Sequence, residues 1–258
     1  MNKIALSFSY NGSHRKSGYF NLNPIDHIQM LIGAIDCANQ NNQCDVIVSA
    51  LNFDPWNMSD LERNYALEVY KRSNIILSKN GFHEHQDGAA SSIRMATEYA
   101  AAKGYEYLIH LAEDVVMASD FIEYFVRHLE DSDYVGAHWI MPDARHIKNS
   151  LTAQVFGCRP LKFADFNKNK FVMPYKVSVI EIEMLSNINA MKLKWKVGAT
   201  EKNLTAYPEG RTIPYPQCRG DGPTMYEHSH NPAEFRKMVE ARGVVWCEFP
   251  IQKQPSLL

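Results

Sequence analysis

Apolar and polar positions alternate between two periods along the first half of this chain. Lys3 to Ser9 is a short apolar run of strand length. From Pro24 to Asn39 the apolar residues Ile25, Ile28, Leu31, Ile32 and Ile35 recur at the spacing of one helix face. Asp45 to Leu51 reads as a second strand. Ser59 to Lys71 reads as a helix whose opening, Ser59-Asp60-Leu61-Glu62, has the form of a capping box. A third short strand follows at Asn74 to Ser78, then a Gly- and His-bearing loop from Lys79 to Gly88. Ala89 to Lys103 is a helix stopped by Gly104, Tyr105 to Leu111 a fourth strand, Asp120 to Leu129 a helix and Tyr134 to Trp139 a strand. Strands alternating with helices predict a mostly parallel sheet with helical crossovers.

Beyond Met141 the pattern weakens. Pro142, Pro160, Pro174 and the Asn- and Lys-rich stretch 167–170 predict a loop-heavy region. Within it Tyr175 to Ile182 alternates like a strand and Glu183 to Ala190 reads as a helix. Residues 207–223 carry prolines at 208, 214, 216 and 223 and glycines at 210, 220 and 222, the composition of a functional or disordered loop. A closing helix is expected from Pro232 to Arg242, with Asn231 before a first-turn proline, and Val244 to Phe249 reads as a strand or tail. The expected division is 1–140 as an α/β half and 141–258 as a loop-rich half of the same domain.

Composition narrows the classes. The chain has 258 residues, 45% of them hydrophobic, and a net charge of −2, so no global basic field attracts nucleic acid. Local basic clusters at Arg145, His146 and Lys148, and at Lys192, Lys194 and Lys196, read as solvated faces. The five cysteines form no Cys-x-x-Cys pair, which suits free thiols in a reducing cytoplasm. No stretch approaches the ~18 apolar residues of a membrane span.

The candidate chemistry lies where the fourth strand ends, in Leu108-Ile-His-Leu-Ala-Glu-Asp114. Open α/β sheets bind ligands outside the carboxyl ends of their strands. Two carboxylates there, Glu113 and Asp114, suit a hard divalent cation that also holds a phosphate, hence a metal-bound nucleotide.

The run from Ala89 to Val116, with its helix, Gly-Tyr-Glu-Tyr turn, buried strand and Glu-Asp pair, resembles nucleotide-sugar glycosyltransferases of the GT-A fold, family-2-like with a degenerate Asp-x-Asp motif. The segment after it, to Asp120-Phe121 and a helix, resembles the same family. Ala112 stands where the motif's first acid is expected. The resemblance implies a GT-A-like (Rossmann-like), mostly parallel sheet with helices on both faces. It also implies transfer of a sugar from a nucleotide-sugar donor, UDP- or GDP-linked, to an acceptor hydroxyl, assisted by Mn²⁺ or Mg²⁺. Asp114 would be a metal ligand and Glu113 a sugar or metal contact. A histidine from the C-terminal region, His228 or His230, would be a further ligand, and imidazole favours Mn²⁺. Ser9 and Tyr10, at the end of the first strand, would touch base and ribose, and Arg94 a phosphate. Arg211 and Arg219 would close a loop over the diphosphate with bidentate geometry. Asp221, or else Glu209, would be the base an inverting reaction needs. A carbohydrate, a small molecule or a modified (hydroxymethylated) DNA base of phage type all remain open as acceptor. The competing expectations are a metal-dependent nucleotidyltransferase or phosphohydrolase, and an inactive GT-A-like binding domain.

Overall fold

The structure is a computed structural model that describes residues 3–11, 23–40, 44–51, 58–78, 85–117, 121–138, 151–163, 195–197, 226–228 and 231–249. The elements in chain order are β1 (Ile4–Asn11), α1 (Pro24–Asn39), β2 (Asp45–Leu51), α2 (Asp60–Arg72), β3 (Asn74–Ser78), α3 (His85–Ala102) and β4 (Tyr107–Ala112). There follow β5 (Val115–Met117), α4 (Phe121–Leu129), β6 (Tyr134–His138), β7 (Leu151–Cys158), β8 (Trp195–Val197), β9 (Tyr226–His228) and α5 (Pro232–Glu240).

The helix ends follow from local chemistry. The Ser59 hydroxyl accepts from the Glu62 amide at 3.3 Å, and the Glu62 carboxylate accepts from the Ser59 amide at 2.7 Å, so the capping box is complete. Asn23 and Asn231 cap α1 and α5 with their side-chain oxygens, each just before a proline whose missing N–H is no loss there. At the end of α3, Gly104 takes φ +70°. Its amide reaches Ala101 O at 3.1 Å and that of Tyr105 reaches Ala100 O at 3.0 Å, a Schellman closure. Tyr105 therefore belongs to the cap, its hydroxyl 2.7 Å from Asp45, and β4 starts later than the apolar pattern predicts.

The main sheet has seven strands in the order β3-β2-β1-β4-β7-β6-β8. β1 is parallel to both β2 and β4, β2 to β3, and β6 to β8, while β7 runs antiparallel to β4 and β6. The chain builds outward from β1 to β3 and then returns to lay β4 on the other side of β1. The strand order thus reverses between β1 and β4, which opens a crevice at their carboxyl ends. A separate ribbon pairs β5 with β9. The expected division near residue 140 falls between β6 and β7, and β7 inserts between β4 and β6, so both halves share one sheet.

Strand alternation gives the sheet two unlike faces. Leu6, Phe8 and Tyr10 of β1 and Tyr107, Ile109 and Leu111 of β4 join the core formed with α1, α4, α5 and Trp246. Each fully buried Leu, Ile or Phe there contributes about 1.5–3 kcal/mol. β7 comes so close to α4 that a Cβ on Gly157 would lie 2.6 Å from Phe125 Cδ1. The opposite face holds Ser7, Ser49 and His110 under α3, whose Ser92 hydroxyl donates to Ser49 O at 2.7 Å. Helices therefore cover both faces.

Two segments differ from the sequence expectation, and a third takes one of its two expected forms. α3 begins at His85, inside the expected loop. β7 forms in the region expected to be loop-heavy, because its register with β4 and β6 is satisfied by partners far away in sequence. Residues 244–249 form no strand but pack by side chains, with Trp246 buried and Phe249 edge-on to Tyr65 at 4.7 Å between ring centroids. The strand expected at 175–182, the helix at 183–190 and the loop at 207–223 lie outside the described residues.

Candidate functional site

The register of β1 against β4 sets Ser9 beside Ala112, so the turn Glu113–Asp114 stands at the reversal of strand order. α1 starts at the same end of the sheet and supplies His27 from its first turn. His27 Nε2 donates to Glu113 Oε1 at 2.9 Å, and Ser9 Oγ donates to Glu113 Oε2 at 3.4 Å. Burial by itself raises the Glu113 carboxyl, but the hydrogen bond and charge of His27 outweigh it and hold the group below the usual carboxylate range. Glu113 is thus an ionised carboxylate held between β1 and α1. Both of its oxygens meet protein donors.

Asp114 comes next, in the turn immediately before β5. Its side chain is 7% exposed, low for a carboxylate. The β5–β9 pairing puts His228 opposite Val115, one residue beyond Asp114. Two segments separated by more than a hundred residues thus bring an acid and a strand position occupied by histidine to the same edge. A carboxylate at this position fits Mn²⁺ or Mg²⁺, whose shell waters and phosphate oxygens complete. Among the described residues, no three His, Cys, Asp or Glu side chains gather into a metal cluster.

The remaining sequence candidates divide clearly. Tyr10 is 1% exposed and belongs to the core, its ring 4.7 Å from that of His27 between centroids. It lies on the apolar side of β1. Ser9 is at the crevice, with its hydroxyl on Glu113. Arg94 stands on the exposed side of α3 and its Nε donates to Glu98 at 2.9 Å, an i,i+4 pair. His228 is placed by its backbone in β9. Asp221, Glu209, Arg211, Arg219 and His230 lie outside the described residues.

His27 is the residue the sequence reading missed. A signal for it existed: α1 buries not only its apolar stripe but also His27 and Gln29, and a helix buried nearly all round must satisfy its polar side chains inside. Beneath the crevice, Ser7 Oγ and His110 Nδ1 share a hydrogen bond of 2.9 Å. Burial pushes His110 down to about 3, against the opposing charge of Glu113, so the ring is neutral. Both residues are sealed inside the sheet, so this pair is structural.

No protein-family model matches this sequence, and no curated protein is similar enough to count as a relative. Solved structures do match. The inositol-1-phosphate CTP transferase from T. maritima is 11% identical, over 94% of this chain and 95% of that one, with a TM-score of 0.54. The galactosyltransferase LgtC, in complex with donor and acceptor sugar analogs, is 10% identical over 93% of this chain and 97% of its own, with a TM-score of 0.48. The apo-form glycosyltransferase GlyE of Streptococcus pneumoniae TIGR4 is 10% identical over 76% of this chain, with a TM-score of 0.46. This chain spans 45% of the GlyE chain. At such identities the likeness is one of fold. The protein shares the α/β fold of the T. maritima CTP transferase, with a mostly parallel sheet and helices on both of its faces.

Proposed function

We propose that this protein is a glycosyltransferase that moves a sugar from a UDP- or GDP-sugar to an acceptor hydroxyl, with Mn²⁺ or Mg²⁺ held at Asp114. The observation that carries the reading is the position of Asp114: a buried carboxylate at the end of β4, where the strand order reverses, with His228 opposite its neighbour Val115. The family resemblance of residues 89–125 supports sugar transfer in particular.

Asp114 and His228 or His230 would hold the metal, which offsets the charge that grows on a leaving nucleoside diphosphate. The chain's own residues then have separable tasks. Ser9, His27 and Glu113 shape the floor of the crevice. Arg211 and Arg219 would cover the diphosphate. Asp221, or in its place Glu209, would take the proton from the acceptor hydroxyl in an inverting reaction. The acceptor would be a carbohydrate, a small molecule or a hydroxymethylated DNA base. A cytoplasmic location suits the free thiols of Cys37, Cys44, Cys158 and Cys247. Among the described residues no helix is long and apolar enough to cross a membrane.

Nucleotidyl transfer is the second reading, favoured by the fold shared with the T. maritima CTP transferase. The leaving group separates the two. A sugar-nucleotide donor releases a nucleoside diphosphate, whereas a nucleoside triphosphate attacked by a sugar phosphate releases pyrophosphate. The test incubates the full chain with Mn²⁺ and a panel of UDP- and GDP-sugars, and in parallel with nucleoside triphosphates and sugar phosphates. Nucleoside diphosphate release that disappears in Asp114→Asn is the expected result. Pyrophosphate release alone would transfer the site to the second reading. Nucleotide-dependent thermal stabilisation without turnover would indicate a binding domain; saturation at 100 times Kd stabilises by about 2.7 kcal/mol.

A further inference from the structure

We infer that His27 is the positioning residue of this site: by holding Glu113 into the protein it sets the β4–β5 turn that presents Asp114. The inference rests on the functional reading above for the role of Asp114, but its geometric content is independent of that role. Glu113 and Asp114 are adjacent residues of one two-residue turn, so fixing the side chain of one constrains the backbone that carries the other. Two acids at the mouth of a crevice would both turn toward a cation or toward water. Here Glu113 is drawn back by two donors, Ser9 from β1 and His27 from α1, while Asp114 continues into β5.

The restraint is built from more than one contact. His27 is itself 6% exposed, and the Tyr10 ring lies against it, so the imidazole is packed as well as hydrogen-bonded. α1 also packs against β5, the strand that Asp114 immediately precedes. α1 therefore grips both sides of the turn, through His27 on Glu113 and through apolar packing on β5. β5 in turn pairs with β9, so the same grip fixes the strand position of His228. The choice of residue also follows. A buried carboxylate needs donors, and imidazole supplies a charge-assisted one on a short, stiff side chain. With Ala112 where the motif's first acid is expected, Glu113 becomes an internal strut rather than a ligand.

The experiment uses the full chain with His27→Ala, His27→Gln and Glu113→Gln. Gln at 27 retains an N–H donor, and Gln at 113 retains an acceptor oxygen. Hydrogen–deuterium exchange reads the turn directly, without metal or substrate. The expected result is at least tenfold faster exchange of the 113–117 amides in His27→Ala, with β2 and β3 unchanged and most of the protection restored in His27→Gln. Mn²⁺ affinity, read by electron paramagnetic resonance of the ion alone, should fall about tenfold in His27→Ala and return to within about threefold of the parent in His27→Gln. Unchanged exchange at 113–117 in His27→Ala overturns the inference. So does a loss of protection spread evenly over the sheet in His27→Gln and Glu113→Gln, the milder variants that remain informative if the alanine variant does not fold. A parent chain that binds no Mn²⁺ counts against the proposed function, while the exchange data still decide the role of His27.

Discussion

The two faces of β1 and β4 are built from the same strands and do different work. One face presents Leu6, Phe8, Tyr10, Tyr107, Ile109 and Leu111 to a continuous apolar core. The other presents Ser7, Ser9 and His110, joined to each other or to neighbouring carbonyls by hydrogen bonds, and ends in Glu113. The apolar face supplies most of the folding free energy, because burial scales with apolar area. The polar face adds little net stability per hydrogen bond, but it demands specific partners, since each buried polar group left unpaired is costly. Direction follows from that demand: the polar seam runs up the sheet and delivers oriented carboxylates to the crevice.

Perturbations of the two faces should separate function from stability. The largest effect belongs to the crevice: Asp114→Asn should reduce metal-dependent donor turnover at least 100-fold, measured as nucleoside diphosphate release, with little change in melting temperature. On the apolar face, Phe8→Ala should destabilise by about 3–5 kcal/mol in urea unfolding, because it opens a cavity among fully buried side chains.

On the polar face the signature is pH. His110 is held down to about 3 in the fold and has an ordinary value of 6.5 unfolded. Its contribution is therefore complete above pH 6.5 and is lost as the pH falls from 6.5 toward 3, at about 1.4 kcal/mol per pH unit. His110→Gln should be less stable than the parent at pH 7.5 yet lose less stability between pH 6.5 and 4, as unfolding curves across that range will show. A smaller effect, about 1 kcal/mol in the same assay, is expected for Ser92→Ala, which removes the 2.7 Å hydrogen bond from α3 to Ser49 O. The smallest is Arg94→Ala on the outer side of α3, within about 0.5 kcal/mol of the parent and without loss of nucleotide affinity in calorimetry.

Much of the fold was legible in single segments. The capping box at Ser59, the Asn231–Pro232 start and the Gly104 stop each involve residues within a few positions of one another, so pattern reading finds them. The acids at 113 and 114 were legible for the same reason, at the end of one apolar strand. What escaped was whatever depends on a distant partner. β7 carries prolines downstream and an interior glycine, and only the space between β4 and β6 makes a strand of it. The surroundings of Tyr10 and Arg94 depend in the same way on which face of β1 or α3 meets the core. The His27–Glu113 pair joins residues 86 positions apart.

The sequence by itself determined the alternating elements up to β4, the caps at Ser59, Gly104 and Asn231 and the site of the carboxylates, because periodicity and capping act over three or four residues. Only the tertiary structure decided what surrounds each carboxylate. The reversal of strand order puts α1 beside the end of β4, and a buried charge must take the donor that packing brings to it. Glu113 meets His27 and Ser9 and turns inward. Asp114, one residue on, immediately precedes the strand whose partner carries His228.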